Sequence, residues 1–328
     1  MLPNYLTVSG KTRQNDLDVT FLISINPGAS TTGSGKQSSQ QENRQAFLTF
    51  GDASWGSVKL GKDIGIYASD AILNDMTLLG VGSGAANLAG NTTTLGRIGT
   101  GFIYADWKAQ VAYTSPNFNG FQFTAGVTQA FDPASVLSGN PDLADGGYAR
   151  GGKEPAFEGK ASYAFAADAV TGKVWASAIS QNVETYGKTS SAWDLGANVN
   201  AAGFGLTGYY GEGRGMGTAL QFNAAYDDEG NKRKSEDWYV QATYTLPGVG
   251  TKLGASYGES ILKGNGDADD LLLGTAKLKD TMWVVGAYHP LTKHLNLVAE
   301  YSDAKAKITE GGDSGTSKTV SLGAILFF

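Results

Sequence analysis

The sequence predicts an all-β protein, a transmembrane antiparallel β-barrel built as one domain over residues 1–328. Three observations lead to this prediction: apolar and polar side chains alternate repeatedly with a period of two, short and long connections alternate, and tryptophans recur near one end of the predicted strands. No apolar run approaches the ~20 residues that a helix needs to cross a bilayer. Because only helices and closed barrels satisfy their backbone polar groups in lipid, such a chain must span with strands.

Alternating stretches of membrane-spanning length recur along the chain. They lie at residues 17–25, 107–114, 157–165, 193–199, 238–246, 295–301 and 319–328. Each is close to the ~9–11 residues of a tilted membrane strand. Counting back from the C-terminal aromatic Phe328 gives about fourteen clear strands, and residues 5–11 are a candidate for one more. Bacterial single-chain barrels have an even number of strands, so we expect the first strand to be missing or short.

The connections between these stretches alternate in length. Short ones are predicted at residues 51–55, 116–120, 166–171, 202–203, 247–250 and 290–293, and long ones at residues 27–42, 63–106, 132–154, 184–191, 212–236, 261–279 and 304–316. Short periplasmic turns and long extracellular loops are typical of outer-membrane barrels. We therefore expect the long, polar connections to face outside. The mixed-charge run at residues 227–234 predicts a solvated loop tip.

Four tryptophans support the same topology. Each follows a long connection, lies near the start of a strand and falls on its apolar face; they are Trp107, Trp193, Trp238 and Trp283. This placement predicts an aromatic girdle at the outer membrane interface. The strands of a soluble β-sandwich also alternate apolar and polar side chains, but that fold predicts neither the girdle nor the alternation of connection lengths.

Composition and charge argue against several other functions. The net charge of -6 and the pI near 5.0 argue against a nucleic-acid partner, which requires a basic surface. The chain has no cysteine, and its two histidines, His289 and His294, flank a predicted turn, so we expect no metal cofactor and no enzyme active site. No secretory signal pattern occurs in residues 1–10, which fits a mature chain or an incomplete reading frame.

One acidic run offers a weak candidate for a cation site. Asp267, Asp269 and Asp270 could hold Ca²⁺ through carboxylate oxygens. The run lacks the spacing and the bidentate glutamate of an EF-hand, so a solvated loop is the favoured interpretation.

Three consecutive segments give a more specific pattern. They read RQAFLTF at residues 44–50, GSVKLGKD at residues 56–63 and IGIYASDAILNDMTLLGVG at residues 64–82. Their order resembles the general diffusion porins of Gram-negative bacteria, in which an Arg-x-Ala-Phe strand and a Gly-rich strand precede a long loop that folds into the barrel through a short helix. YTSPNFNGFQF at residues 113–123 and the final ILFF resemble the betaproteobacterial members.

The resemblance implies a sixteen-stranded porin that lets ions and small hydrophilic solutes diffuse passively through a water-filled channel. Residues 63–106 would be the inward-folded loop that constricts the pore. The resemblance also implies a homotrimer in the bacterial outer membrane, in contact with its lipid and lipopolysaccharide. The alternative is a structural or adhesin barrel with a plugged lumen, since a loop of this length could constrict or plug.

The resemblance also assigns residues to the constriction. Asp75 matches the loop acid of the family, and Arg44 matches an arginine of the wall. Asp70 is a second loop acid or a helix cap. Leu79 stands where enterobacterial relatives have another acid, and Arg97 is a further basic candidate.

Strand alternation adds two lysines, because Lys59 and Lys108 fall on the polar, lumen-facing side of their strands. A barrel also tolerates charged side chains on that face when they have no role in selectivity. With one loop acid lost and several bases present, we expect a weak preference for anions. A sugar-specific channel would show a ladder of aromatic side chains, and only Tyr239 and Tyr288 are predicted to point inward.

Overall fold

A computed structural model of the chain describes residues 2–28, 41–81, 94–131, 152–266, 272–310, 312 and 314–328. Within these residues there are sixteen strands, one short α-helix and one 3₁₀ turn. The strands are β1 (Leu6–Gln14), β2 (Leu17–Pro27), β3 (Gln41–Glu42), β4 (Ala46–Asp52), β5 (Gly56–Ile64), β6 (Trp107–Thr114), β7 (Phe121–Thr128), β8 (Ala156–Ala167), β9 (Val170–Val183), β10 (Lys188–Ala201), β11 (Phe204–Arg214), β12 (Lys234–Thr245), β13 (Lys252–Lys263), β14 (Lys277–Pro290), β15 (Leu295–Ile308) and β16 (Ser314–Leu326). The helix α1 spans Ser69–Leu73, and the 3₁₀ turn spans Met76–Leu79.

Fifteen of the strands form the barrel wall as one antiparallel sheet. Each strand from β1 to β16 pairs with its neighbour in the chain, except that β3 pairs only with the end of β2 and β4 takes its place in the wall. Antiparallel neighbours joined in chain order are the topology of an up-and-down barrel. The predicted all-β antiparallel barrel is confirmed, and the candidate strand at residues 5–11 is β1. Among the described residues, no helix is long and apolar enough to cross a membrane.

Side chains alternate between an outward apolar face and an enclosed polar face. In β6, Lys108, Gln110 and Ala112 are buried, whereas Val111 between them is 56% exposed. The final strand shows the same alternation, with Leu322 exposed and Ser321 buried. An exposed aliphatic face with a polar interior is the reverse of the side-chain distribution in a soluble protein and is typical of a membrane barrel. Strand alternation therefore predicted the correct face for these residues.

The aromatic girdle lies on the outward face of consecutive strands. Its rings meet in three tryptophan–tyrosine pairs with centroids 5.0–5.8 Å apart: Trp193 with Tyr210, Trp238 with Tyr257, and Trp283 with Tyr301. Rings with an apolar body and a polar edge are favoured where lipid meets water. Trp107 differs from the other three, because it is half-buried and its ring lies 5.6 Å from the guanidinium of Arg44.

Two of the predicted long connections are wrong. The strands β9 and β10 are joined by only four residues, since β9 continues to Val183 and β10 begins at Lys188. Likewise β15 continues to Ile308 and β16 begins at Ser314, well inside the loop expected at residues 304–316. In both places serine, threonine and lysine occupy the outward face beyond the girdle. The polar–apolar contrast therefore disappears although the ladder of backbone hydrogen bonds continues.

The connection between β11 and β12 was expected outside but folds into the barrel. Its apolar side chains Met216, Leu220 and Phe222 are buried, and the ring of Phe222 lies 6.2 Å from that of Phe131. They belong to a hydrophobic cluster that also contains side chains of the connection between β5 and β6, such as Phe102. Burial of this apolar surface explains why the segment leaves solvent.

The predicted solvated tip at residues 227–234 is right for Asp228, Glu229 and Lys232, which are exposed, and wrong for two other charged residues of the run. Asp227 and Arg233 are each only 2% exposed. The Asp227 carboxylate accepts hydrogen bonds from Nδ2 of Asn265 at 2.8 Å and from the backbone nitrogen of Asn231 at 2.6 Å. Arg233 donates from Nη1 to the backbone oxygen of Tyr226 at 2.7 Å. Charged groups are buried here because each is hydrogen-bonded.

Candidate pore constriction

The connection between β5 and β6 lies against the inward face of the wall. We call its described residues, 65–81 and 94–106, the inner loop. The carboxylate of Glu158 on β8 accepts hydrogen bonds from the backbone nitrogens of Ile66 and Tyr67, at 2.7 and 2.8 Å. Farther along, the hydroxyl of Tyr239 on β12 donates to the backbone oxygen of Ala71 at 2.8 Å. Inward side chains of the wall therefore hold the loop backbone.

Two further anchors continue across the lumen. Gln241 on β12 accepts from the backbone nitrogen of Met76 at 2.7 Å and donates to the backbone oxygen of Asn74 at 3.0 Å. The carboxylate of Glu300 on β15 accepts from the backbone nitrogen of Val81 at 3.1 Å. A Cβ on Gly80 would lie 2.4 Å from Oε2 of Glu300, so a larger residue there would displace the Glu300 carboxylate from the loop. The loop thus follows the wall from β8 to β15.

Asp70 lies in the first turn of α1 and faces two lysines of the wall. Its carboxylate is 3.1 Å from Nζ of Lys160 on β8 and also contacts Nζ of Lys173 on β9. The side chain of Asp70 is 5% exposed, whereas those of Lys160 and Lys173 are 25% and 34% exposed. Burial opposes ionisation of Asp70, but the ammonium groups of Lys160 and then Lys173 outweigh it and lower the pKa of the carboxyl. One enclosed negative charge therefore faces two partly exposed positive charges.

Asp75 has a different environment. One of its oxygens accepts from the backbone nitrogen of Thr77 at 3.0 Å and caps the 3₁₀ turn. The same oxygen lies 3.8 Å from Nε of Arg97, and the two side chains are 3% and 0% exposed. Burial raises the pKa of Asp75 against the opposing effects of Arg97 and Thr77. The structure thus brings two predicted site residues together, but as a closed pair inside the loop.

Arg97 is anchored on its other side by the wall. Its Nη1 donates to the backbone oxygen of Met282 on β14 at 3.1 Å and to that of Thr100 at 3.2 Å. Its Nε and Nη2 have no hydrogen-bond partner among the described residues. Burial also lowers the pKa of Arg97, opposed by Asp75. Arg97 therefore holds the returning part of the loop to the wall and is shielded from water.

Lys108 and Lys59 both face inward, as strand alternation predicted, but they differ in exposure. Lys108 is 1% exposed, and its Nζ donates to Glu158 at 2.7 Å and to Gln221 at 3.1 Å. Lys59 pairs with Asp63 and is 29% exposed, with its Nζ 4.8 Å from the ring centre of Phe47. Of these two lysines, only Lys59 presents charge to the lumen.

Arg44 lies just before β4 and is 3% exposed. Its Nη1 donates to the hydroxyl of Tyr5 at 2.8 Å, and its guanidinium lies over the rings of Tyr5 and Trp107. It lines a cavity of about 130 Å³ on one side of the inner loop, together with Leu73 and Leu78. Arg44 is therefore near the loop but is not in contact with Asp70.

A larger cavity of about 540 Å³ lies on the other side of the inner loop. It also includes Leu73 and Leu78, and wall side chains such as Asn198 and Lys252 line it. Leu73 is 57% exposed and Leu79 is 42% exposed, so the loop presents aliphatic groups to the lumen. Leu73, Asp75 and Leu78 line both cavities, so these loop side chains lie between them.

A model of the Gram-negative porin family matches residues 3–309 of this chain. The chain belongs to the Gram-negative porin family. As a porin, it spans the bacterial outer membrane and forms a water-filled channel for the passive diffusion of ions and small hydrophilic solutes. A search of curated protein sequences finds no match to it.

Solved porin structures share the fold at low sequence identity. The outer-membrane channel DcaP of Acinetobacter baumannii is 15% identical, with a TM-score of 0.69 over 100% of this chain and 85% of that one. An anion-selective porin from Comamonas acidovorans is 17% identical, with a TM-score of 0.62 over 99% of this chain and 90% of that one. OmpF of Salmonella typhi in complex with daunomycin is 17% identical, with a TM-score of 0.64 over 99% of this chain and 90% of that one.

Sequence reasoning missed two residues that the geometry of this porin brings to the lumen. Lys160 and Lys173 face Asp70, although neither was a candidate. The signal for Lys160 was present, because it alternates with Phe157 and Ala161 in an apolar-out strand. What the sequence lacked was any indication that the loop acid would reach β8 and β9.

A third inward tyrosine was also missed. Tyr209 stacks on Tyr239 with ring centroids 5.6 Å apart, and both are buried rather than exposed along the passage. Tyr288 likewise faces inward and donates to Glu300 at 2.7 Å. The described part of the wall therefore has inward tyrosines that pack rather than form a slide.

The weak Ca²⁺ candidate is not addressed by the structure. Asp267, Asp269 and Asp270 lie outside the described residues. Within the described residues, no group of three or more acidic, histidine or cysteine side chains could hold a metal ion.

Proposed function

We propose that this porin forms homotrimers whose pores are constricted by residues 63–106 and pass small anions in preference to cations. One observation carries the proposal: positive side chains reach the lumen, whereas the carboxylates paired with them are enclosed. Lys160 and Lys173 are 25% and 34% exposed, against 5% for Asp70. Lys59 is 29% exposed, against 7% for its partner Asp63.

The electrostatic consequence follows from the difference in exposure. A permeating ion interacts mainly with groups that share its water, because charges enclosed by protein lie farther from it and are already paired. The Asp70 cluster contains one negative and two positive charges, so it attracts anions. The anion-selective porin from Comamonas acidovorans, which shares this fold, supports the same preference. Leu73 and Leu79 narrow the passage without adding charge.

Arg44, Asp75, Arg97 and Lys108 have other roles in this proposal. Arg44 is itself enclosed at 3% exposure and packs beside the loop against Tyr5 and Trp107, and the other three hold the loop and its surroundings in place. The outer face would contact outer-membrane lipid and lipopolysaccharide, and neighbouring protomers would cover part of it in the trimer.

The decisive experiment is a planar-bilayer recording of the detergent-purified protein under a tenfold KCl gradient. We expect openings in groups of three and a reversal potential of the sign that favours chloride. A potential that favours potassium would refute the anion preference and leave the channel itself intact. A folded, heat-modifiable barrel that never opens would instead favour the plugged structural barrel.

A further inference from the structure

Four cations lie side by side on the outward face of four neighbouring strands. Arg214 of β11 pairs with Lys234 of β12, Lys234 pairs with Lys263 of β13, and Lys263 pairs with Lys277 of β14. Like charges directly opposite each other on antiparallel strands repel and destabilise the pairing. A row of four such positions is therefore unfavourable unless anions lie across it.

The positive charge continues onto the next strand. Lys279 of β14 pairs directly with Lys307 of β15, and Lys305 lies beside them on the same face. We define the basic patch as the outward cations of these five strands: Arg214, Lys234, Lys263, Lys277, Lys279, Lys305 and Lys307. On the same face, beyond the aromatic girdle, these seven bases accompany four acids, Glu212, Glu236, Glu259 and Asp303. The patch is thus positive on a chain whose net charge is -6.

The acids neutralise only the middle of the patch. Glu236 contacts both Lys234 and Lys263, and Glu259 lies 2.8 Å from Nζ of Lys279. The cations at its edges have no ion pair among the described residues; they are Arg214, Lys277, Lys305 and Lys307. Each of these four is exposed. Unpaired, exposed cations in one patch are suited to an external polyanion.

The height of the patch relative to the membrane is fixed by the girdle. Along β12 the outward side chains are Trp238, then Glu236, then Lys234. Four residues of strand place Lys234 roughly 13 Å beyond the tryptophan along the chain, and strand tilt reduces this to about 10 Å along the membrane normal. The patch lies toward the end of the barrel with the longer connections, which faces outside. Its cations therefore lie at the level of outer-leaflet headgroups.

The same row is uncharged on the other side of Arg214. There Arg214 pairs with Ser191 of β10, Ser191 with Ser180 of β9, and Ser180 with Phe157 of β8. A general belt of charge around the barrel would not stop at β11. The localisation favours one docking site over non-specific contact with the whole leaflet.

We propose that the basic patch binds a bisphosphorylated glycolipid of the outer leaflet, the chemistry of the lipid anchor of lipopolysaccharide. The row from Arg214 to Lys277 covers three strand spacings, roughly 14 Å, so it can contact two phosphates at opposite ends of a disaccharide. Below it, exposed Leu206, Val240 and Val285 offer an apolar surface for the acyl chains. This names a site for the lipid contact suggested above and does not depend on the anion preference of the pore.

The test measures lipid binding to the purified, detergent-solubilised protein by native mass spectrometry. The probes are bisphosphorylated lipid A, monophosphorylated lipid A, phosphatidylglycerol and phosphatidylethanolamine. We expect the bisphosphorylated glycolipid to bind most tightly. The double variant Arg214→Gln/Lys277→Gln removes two charges without breaking an ion pair, and we expect it to bind that lipid about tenfold more weakly.

A matched control removes the same charge elsewhere. Lys153→Gln/Lys293→Gln alters two exposed lysines outside the patch, of which Lys153 also loses an exposed ion pair with Glu184, and should leave lipid binding unchanged. A second patch variant, Lys305→Gln/Lys307→Gln, should weaken binding in the same direction and guards against a fault specific to the first variant. KCl conductance, recorded on every variant, should remain at the wild-type value because none of these residues lines the lumen.

Three outcomes would overturn the proposal. One is equal affinity for the bisphosphorylated glycolipid and phosphatidylethanolamine. Another is wild-type affinity in both patch variants. The third is phosphatidylglycerol binding as tightly as lipid A, which would assign the patch to lipid phosphate in general. A protein that binds the glycolipid as expected but conducts no ions would contradict the channel function and leave this site standing.

Discussion

Two carboxylates of the inner loop, Asp70 and Asp75, lie five residues apart and show how one loop serves two purposes. Asp70 faces Lys160 and Lys173, whose side chains share the water of the lumen. Asp75 faces Arg97, and both side chains of that pair are enclosed. In the pore that we propose, the first carboxylate therefore adjusts the charge that a solute meets. The second holds the loop in its place.

The difference teaches that a charge near a pore acts on solutes only where its field reaches water. The resemblance predicts that Asp75 is the family's loop acid, yet its carboxylate is enclosed 3.8 Å from a fully buried guanidinium of opposite charge. Asp70 is equally enclosed, but its partners outnumber it and are partly exposed. We therefore expect substitutions at Asp75 to change stability, and substitutions around Asp70 to change selectivity.

The largest expected effect is on the enclosed pair. Asp75→Ala leaves the Arg97 charge uncompensated in a site that is 0% exposed and removes the cap of the 3₁₀ turn. Breaking a buried ion pair from one side costs about 3–5 kcal/mol in the free energy of unfolding. Urea unfolding in phospholipid vesicles, followed by tryptophan fluorescence, measures this loss.

The control for that prediction removes both charges together. In Asp75→Leu/Arg97→Met no charge remains buried, so we expect most of the lost stability to return. A double variant as unstable as Asp75→Ala would mean that the cap, and not the ion pair, carries the effect.

The next largest effect concerns the lysines that face Asp70. Lys160→Gln/Lys173→Gln removes both exposed positive charges and leaves Asp70 without a cation. We expect the chloride-to-potassium permeability ratio to fall about fivefold, because two water-screened positive charges a few ångströms from the permeating ion are lost. The reversal potential under a KCl gradient measures it. Lys62→Gln, on the outward face of β5, should leave the ratio unchanged.

A smaller effect is expected at the hydroxyl that fastens the loop between the two carboxylates. Tyr239→Phe removes the 2.8 Å hydrogen bond to the backbone oxygen of Ala71. The expected loss is about 1 kcal/mol in the free energy of unfolding, the usual net value of such a bond. Tyr163→Phe, on the outward face of β8, is the control. Equal losses in the two variants would show that the anchor at Ala71 adds no stability.

The smallest effect is a pH dependence of selectivity. The pKa of Asp70 is lowered, so the carboxyl stays ionised below the usual aspartate value of about 3.9 and its ion pairs are lost only as pH falls through that lowered pKa. Its protonation frees positive charge on Lys160 and Lys173. We expect this protonation to raise the chloride preference about twofold below pH 4, whereas between pH 7 and about 4.5 Asp70 contributes no change.

Asp70→Asn isolates this titration from the other carboxyl groups of the lumen. The variant should show the raised chloride preference already at pH 7, and the difference from the wild type should vanish in acid. A difference that vanishes at or above pH 5 would contradict the lowered pKa of Asp70.

Much of the barrel follows from its sequence because a barrel wall imposes a strict period of two. Alternation assigned Lys59 and Lys108 to the lumen and Trp193, Trp238 and Trp283 to the membrane interface, as the structure has them. Alternation says nothing about exposure, however. Lys108 is closed off by Glu158, fifty residues away, and by Gln221 from a connection that was expected outside.

The connections were harder to predict because no period governs them. Met216, Leu220 and Phe222 were apolar residues in a loop assigned to water, and that contrast was the available sign that the segment folds inward. The pairing of Asp70 with β8 and β9 depends on where the loop is fastened by Glu158 and Gln241. Such long-range anchors leave no pattern in a single sequence.

The central claim is that Asp70, and not Asp75, sets the charge that ions meet in this pore. It is tested most directly by the reversal potentials of wild type, Asp70→Asn and Asp75→Asn, recorded side by side at pH 7 under one KCl gradient. We predict a chloride preference in the wild type, a stronger one in Asp70→Asn and the wild-type value in Asp75→Asn. An equal shift in both variants, or a potassium preference in the wild type, would contradict the account.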